Sequence, residues 1–171
     1  YGVISGGKKI RSTIIIDTGK IFDISQKKLI NICASVECIH SYSLIHDDLP
    51  CMDDDKFRRG KPSTHMKFGE ASAVLAGNSL LTLAFEIISN KNYKISSKIK
   101  NEIIRSLAFC SGHTGIAGGQ ELDLKFEGKK KNLNNILIMQ KKKTGKLFGF
   151  CLYAVGAIAG KNDREKKDLV I

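Results

Sequence analysis

A chain of 171 residues with 42% hydrophobic content, eight Phe and no Trp carries enough apolar material for one sizeable core. Lys and Arg outnumber Asp and Glu by 28 to 17, a formal charge of +11, so anions of some kind are the expected partners. Aromatic residues are not interleaved with the basic ones, which argues against nucleic acid, and the longest apolar stretch, residues 147–159, is too short for a membrane span of roughly 20 residues.

Five cysteines (Cys33, Cys38, Cys51, Cys110 and Cys151) form no CxxC pair and sit mostly inside apolar helical runs. That usage predicts buried, reduced thiols in a cytoplasmic protein, with no disulfide or metal framework of their own. Two prolines and few runs of Val, Thr and aromatics make long helices the economical reading.

In chain order, Gly6-Gly7-Lys8-Lys9-Ile10-Arg11-Ser12 is a glycine-led basic turn, followed by a short apolar run over residues 13–19. Ser25 suits an N-cap, and the pattern predicts a helix over residues 26–49. Its apolar residues, among them Leu29, Ile32, Cys33, Val36, Ile39 and Ile45, cover most of the circumference, as in a helix surrounded by others. His40 and Asp47, seven residues apart, share one face of it. A buried polar stripe is expensive unless something pairs with it, so both a satisfied core histidine and a ligand-binding one are open for His40.

Further helices are predicted over residues 69–89, 97–124 and 133–160. Gly145 and Gly149, then Gly156 and Gly160, recur four apart, which suits tight helix packing. Lysine runs at 129–131, 141–143 and 166–167 read mostly as solvated helix ends or loops. Linkers are short, there is no internal repeat and no shift of composition, so residues 1–171 are expected to form a single all-α domain, a helical bundle. The chain begins at Tyr1 without an initiator Met and stops at Asp168-Leu169-Val170-Ile171 in what reads as a helix start; both ends are expected to be cut.

The densest chemistry lies in residues 47–65, DDLPCMDDDKFRRGKPSTH, with Asp47, Asp48, Asp53, Asp54 and Asp55 followed by Lys56, Arg58, Arg59 and Lys61. Oxygen ligands in this number suit a hard cation, and Mg²⁺ typically takes only one or two carboxylates and completes its shell with substrate phosphates. In a straight helix Asp47 and Asp53 would point about 240° apart. Pro50 disfavours helical geometry at Leu49 and lacks a donor, so the chain can bend and bring Asp53 back beside Asp47. Arg58 and Arg59 supply forked donors for phosphate, and as chain neighbours they should point to different partners. The D-x-D-x-D-G spacing of a calcium loop is absent.

Six segments, in order, resemble the motifs of trans-prenyl diphosphate synthases, and most closely bacterial farnesyl diphosphate synthases. They are Gly6-Gly7-Lys8-Lys9-Ile10-Arg11, Glu37-Cys38-Ile39-His40, the stretch from Leu44 through Asp55, Arg58-Arg59-Gly60, Gly119-Gln120-Glu121-Leu122-Asp123, and Lys143-Thr144. The resemblance implies an isoprenoid-synthase bundle with a central cavity, Mg²⁺ as cofactor and a homodimer. It implies condensation of isopentenyl diphosphate with dimethylallyl or geranyl diphosphate to farnesyl diphosphate.

By the same resemblance Asp47 and Asp53 are metal ligands with Asp48 in support, and Arg58 contacts the allylic diphosphate. Lys8, Arg11, His40 and Arg59 bind isopentenyl diphosphate, Lys143 and Thr144 lie over the departing group and nascent cation, and Gln120 and Asp123 support the metal site from the side. Chain length in this family is set by the pocket floor below the first aspartate motif, where Tyr42 and Ser43 stand. They lie roughly 6 to 7.5 Å down the helix axis from Asp47.

The second aspartate-rich motif of that family is expected after the last residue, and a helix before Tyr1. Lys9 and Ser12 stand where Arg and Pro are usual, and Asn78 where a Gly-Asp pair is common. Rival readings are a geranylgeranyl diphosphate synthase, a terpene cyclase, which would not need Lys8, Arg11 and His40, and a non-catalytic subunit or truncated paralogue.

Overall fold

The computed structural model describes residues 1–4 and 6–170, and its elements are helices apart from one two-stranded hairpin. The fold is all-α, as the periodicity indicates. The apolar run after the basic turn belongs to a helix, α1 (Ile10–Ile21), with Ile15 fully buried. Helix α2 (Gln26–Asp47) starts after Ser25 but ends at Asp47 rather than Leu49, because the residue before Pro50 is pushed out of helical geometry.

After α2, strand β1 (Phe57–Arg58) pairs antiparallel with β2 (Lys61–Pro62), a hairpin with no apolar alternation to announce it. Its two-residue loop is Arg59-Gly60, both at positive φ (53° and 74°), the backbone shape that matches strand twist. A short α3 (Thr64–Phe68) leads through Gly69 into α4 (Glu70–Ser89), which packs along α2. Small residues allow the approach: a Cβ on Gly77 would meet His46 Nε2 at 2.0 Å, and that nitrogen lies 3.1 Å from the Val74 carbonyl oxygen.

The helix expected over 97–124 is two, α5 (Ser97–Ser111) and α6 (Ile116–Phe126). The break is tight: a Cβ on Gly115 would stand 1.8 Å from the Cys110 carbonyl oxygen, so the turn requires glycine there. The element expected over 133–160 is a rod of three parts: α7 (Leu133–Gln140), a π turn over Lys141–Gly145, and α8 (Lys146–Ile158). Its start is capped by Asn132, whose side chain accepts from Asn135 N at 2.9 Å.

The expected helix start at Asp168 is instead a helix end. Helix α9 spans Asp163–Asp168, and its start, five residues before Asp168, is set by a capping box between Asn162 and Glu165. Ile171 lies outside the described residues.

The core gathers Leu29, Ile32, Val36 and Ile39 of α2 with Ile15, Ala84, Ile88, Ile103, Leu107, Leu147, Phe150 and Val155. Each large side chain of this set contributes about 1.5–3 kcal/mol by leaving water. α2 is therefore central, buried on the sides that α1, α4 and α8 cover. Among the described residues, α4 alone is long and apolar enough to cross a membrane, with a mean hydropathy of 1.6 and 22% of that stretch buried. Four of the five cysteines are buried and all are free thiols; Cys51, in the acidic turn, is exposed.

Candidate active site

The end of α2 builds the acidic half of the site. Asp47 is its last residue and is buried; beyond it the chain turns so tightly that Asp53 N donates to the Asp47 carbonyl oxygen at 2.9 Å and Asp54 N to that of Leu49 at 3.2 Å. Burial pushes the Asp47 carboxyl up to about 6; Lys143 pulls it down and Asp53 adds to the rise. Asp53 in turn accepts from Gln120 Nε2 of α6 at 3.2 Å, while Gln120 Oε1 is buried without a partner. The turn thus brings Asp47, Asp53, Gln120 and the charge of Lys143 together.

Asp48 is placed differently. It is 2% exposed, and its Oδ1 accepts from Arg58 Nε at 2.6 Å and also contacts the terminal nitrogen of that guanidinium. Arg58 reaches Asp55 as well, at 3.3 Å, whereas Arg59 turns away to the Gly6 carbonyl oxygen. The two neighbouring arginines do have different partners.

The residues present fit a hard divalent ion. Among the described residues no three His, Cys, Asp or Glu side chains converge, but Mg²⁺ needs only one or two carboxylates when phosphate oxygens complete its shell. Asp47 and Asp53 offer these, and the orphaned Gln120 Oε1 beside them is an acceptor awaiting a donor such as bound water.

The basic half is a cavity of about 490 Å³, lined among others by Lys8, Arg11, Glu37, His40 and Arg59. Four residues named from the sequence therefore share one pocket. Glu37, quoted in a motif but given no role there, is its buried organiser: it accepts from Ser12 Oγ at 2.8 Å and pairs with Lys9 at 3.3 Å. A lone acid in an otherwise apolar helical stretch, three residues before His40, was the available signal. His40 is pulled down to about 4, first by burial and then by Arg11. The pocket is thus positive and its imidazole neutral at neutral pH.

Lys143 and Thr144 sit on the π turn, with Lys143 Nζ 2.6 Å from Asp123 Oδ2 of α6. The approach is so close that a Cβ on Gly119 would stand 2.3 Å from Lys143 N. Thr144 is exposed. Tyr42 is buried within reach of Asp47: its hydroxyl donates to the Ser111 carbonyl oxygen at 3.2 Å, and burial followed by the charge of Asp47 pushes it up to about 12. Ser43 Oγ donates to the His40 carbonyl oxygen at 3.0 Å, so it is spent on its own helix.

The structure is an all-helical bundle in which one helix carries both a pair of carboxylates and part of a basic pocket. The chain belongs to the polyprenyl synthetase family, whose model matches residues 1–170. It is 49% identical over 148 residues to farnesyl diphosphate synthase of Escherichia coli, covering 86% of this chain and 50% of that protein. With farnesyl diphosphate synthase of Geobacillus stearothermophilus the identity is 38% over 170 residues, 99% of this chain and 57% of that one. The fold superimposes on an FPP/GFPP synthase of Zymomonas mobilis with a TM-score of 0.93 at 42% identity, covering 98% of this chain and 61% of that one. A geranyltransferase of Legionella pneumophila gives a TM-score of 0.93 at 37% identity, covering 99% and 60%. The chain spans about half the length of the curated relatives it matches.

His40 yields a pH prediction. Unfolded, it protonates near its ordinary value of about 6.5; folded, it does so only near 4. Between those values the unfolded chain binds more protons, so this contribution to stability is lost as pH falls. Urea midpoints measured across that window should fall more for the native chain than for His40→Gln. Equal losses would show that another group is responsible.

Proposed function

We propose that the protein carrying this chain is a Mg²⁺-dependent short-chain prenyltransferase, which joins isopentenyl diphosphate to dimethylallyl or geranyl diphosphate and yields farnesyl diphosphate. The observation that carries this is the spacing on α2: Asp47 and the pocket residue His40 lie two turns apart, about 10.5 Å along the axis. One helix therefore presents two diphosphate sites at once, an acidic one and a basic one.

In this reading Asp47 and Asp53 hold the ion and Asp48 secures Arg58, which faces the allylic diphosphate. Bound Mg²⁺ supplies positive charge to the leaving diphosphate oxygens. The allylic C–O bond breaks and its electron pair leaves with the diphosphate. Lys143, placed by Asp123, adds positive charge on that side, and Thr144 lies beside it. Lys8, Arg11 and Arg59 hold isopentenyl diphosphate so that its double bond attacks the cationic carbon; a proton is then lost, for which the released diphosphate is the available base. Neutral His40 completes the pocket as a hydrogen-bonding group. The site calls for no strong nucleophile, which would trap the cation.

Tyr42, about 7.5 Å below Asp47 on α2, serves as the floor that ends elongation. Its position is supported by the hydrogen bond that ties it to Ser111 at the end of α5. A geranylgeranyl synthase would need that floor open, and a cyclase would not need the basic pocket. The homodimer is supported by the outer face of α4, where Val74 (39% exposed), Leu75 (65%) and Leu83 (39%) stand in solvent beside exposed Asn78. A second copy covering this stripe accounts for a helix apolar enough for a bilayer yet flanked by a folded core. The buried free thiols suit the cytoplasm.

Incubation with labelled isopentenyl diphosphate, dimethylallyl diphosphate and Mg²⁺ should give fifteen-carbon product; released hydrocarbon would indicate a cyclase, and no turnover a non-catalytic subunit. Asp47→Ala should lower turnover on the order of 10²-fold or more, the scale of lost charge stabilisation, and abolish Mg²⁺-dependent pyrophosphate binding while helicity is kept. Unchanged binding would defeat the metal assignment. Tyr42→Ala should shift products beyond fifteen carbons, and an unaltered distribution would place the floor elsewhere. Leu75→Lys should turn a dimer into a monomer in sedimentation; a native chain that is already monomeric at micromolar concentration removes that part of the proposal.

A further inference from the structure

We infer that Phe148 is a positioning residue for the basic pocket: its ring backs the guanidinium of Arg11 and holds it ready for a diphosphate. Arg11 Cζ lies 4.5 Å from the centroid of the Phe148 ring. Arg11 lines the cavity, whereas Phe148 is not part of the lining and reaches the guanidinium from α8. The inference rests on the reading of this cavity as a diphosphate site.

The need for such a backing follows from what Arg11 lacks. Its Nε is buried and has no hydrogen-bond partner. Glu37, the carboxylate whose charge acts on it, is engaged by Ser12 and Lys9. Burial lowers the pKa of Arg11, the mark of a cation that has given up water without full recompense. The negative face of an aromatic ring compensates a partly desolvated guanidinium without consuming any of its donors. Those donors stay free for phosphate oxygens, and a side chain already stacked loses less freedom when the ligand arrives.

The ring is partly buried, and its backbone is fixed by its neighbours. Phe148 follows the fully buried Leu147 and is one turn beyond Thr144, on the rod that carries Lys143. Arg11 of α1 is thereby aligned by the same helix that places Lys143 beside Asp123. None of the sequence motifs includes Phe148, because its role depends on a contact between residues 137 positions apart.

The test is calorimetric titration of inorganic pyrophosphate in the presence of a chelator, where the acidic site has no metal to hold an anion and only the basic pocket reports. Phe148→Leu and Phe148→Met keep apolar bulk but remove the ring, and each should weaken binding about fivefold, the value of one exposed-to-half-buried cation–π contact. Phe148→Tyr keeps the ring and should bind within about twofold of the native chain. Two non-aromatic variants guard against one that fails to fold, and thermal melts identify which are folded. Native affinity in a folded Leu or Met variant, or equal weakening in the Tyr variant, would overturn the inference while leaving the pocket assignment intact. A native chain that binds no pyrophosphate under chelation would overturn the pocket assignment, and the inference with it.

Discussion

Helix α2 stops at Asp47 because the proline three residues on forbids another turn, and the site is arranged around that stop. An uninterrupted helix would send Asp53 to the far side of the rod. The break lets Asp53 N close a hydrogen bond on the Asp47 carbonyl oxygen, so two carboxylates of one short segment share a neighbourhood. The same stop leaves Asp47 at the edge of an apolar core, where the raised carboxyl pKa reports how poorly its charge is solvated. A poorly solvated carboxylate near a second one is a group that gains by meeting a cation. Burial and a turn thus suit this pair to a hard ion.

Charge placement along α2 solves a second problem. The chain carries an excess of positive charge, but three half-exposed cations of the site are tied to particular acids: Lys9 to Glu37, Arg58 to Asp48, Lys143 to Asp123. Each pair fixes where a cation stands more than it stabilises the fold, since the desolvation of two ions offsets much of their attraction. Arg11 is the exception, held by an aromatic face instead of a carboxylate. A carboxylate at that place would compete with an incoming phosphate, whereas a ring does not.

Much of this was legible in the residues. The all-helical class, the central role of α2, the turn at Pro50 and the diverging arginines follow from periodicity and proline chemistry, which act locally. The motif residues Lys8, Arg11, His40 and Arg59 could be named one by one, and the pocket that gathers them could be expected from the resemblance. What escaped depends on partners distant in the chain. Glu37 looked like a stray acid until Ser12 and Lys9 converged on it. The break between α5 and α6 falls at Ser111-Gly112-His113-Thr114-Gly115, a polar, glycine-bearing turn signal that was readable and overlooked; only the close pass of Gly115 by a carbonyl oxygen lay beyond the sequence. The hairpin at Arg59-Gly60 carries no apolar alternation, so only its turn geometry reveals it. The capping box at Asn162 was readable and overlooked.

The π turn ties these strands of argument together. A π turn holds one residue more than an α turn, so everything after it is rotated by about 100° relative to an unbroken α-helix. At Lys141–Gly145 that rotation comes between the segment facing α6 and the segment facing α1 and α5. The turn itself carries Lys143 beside Asp123, and the helix beyond it places Leu147 in the core and Phe148 over Arg11. Gly119 is the counterpart on α6: only a residue without a Cβ lets the widened turn lie against it. One rod thus serves both halves of the site, with Lys143 on the acidic side and Phe148 behind the basic one.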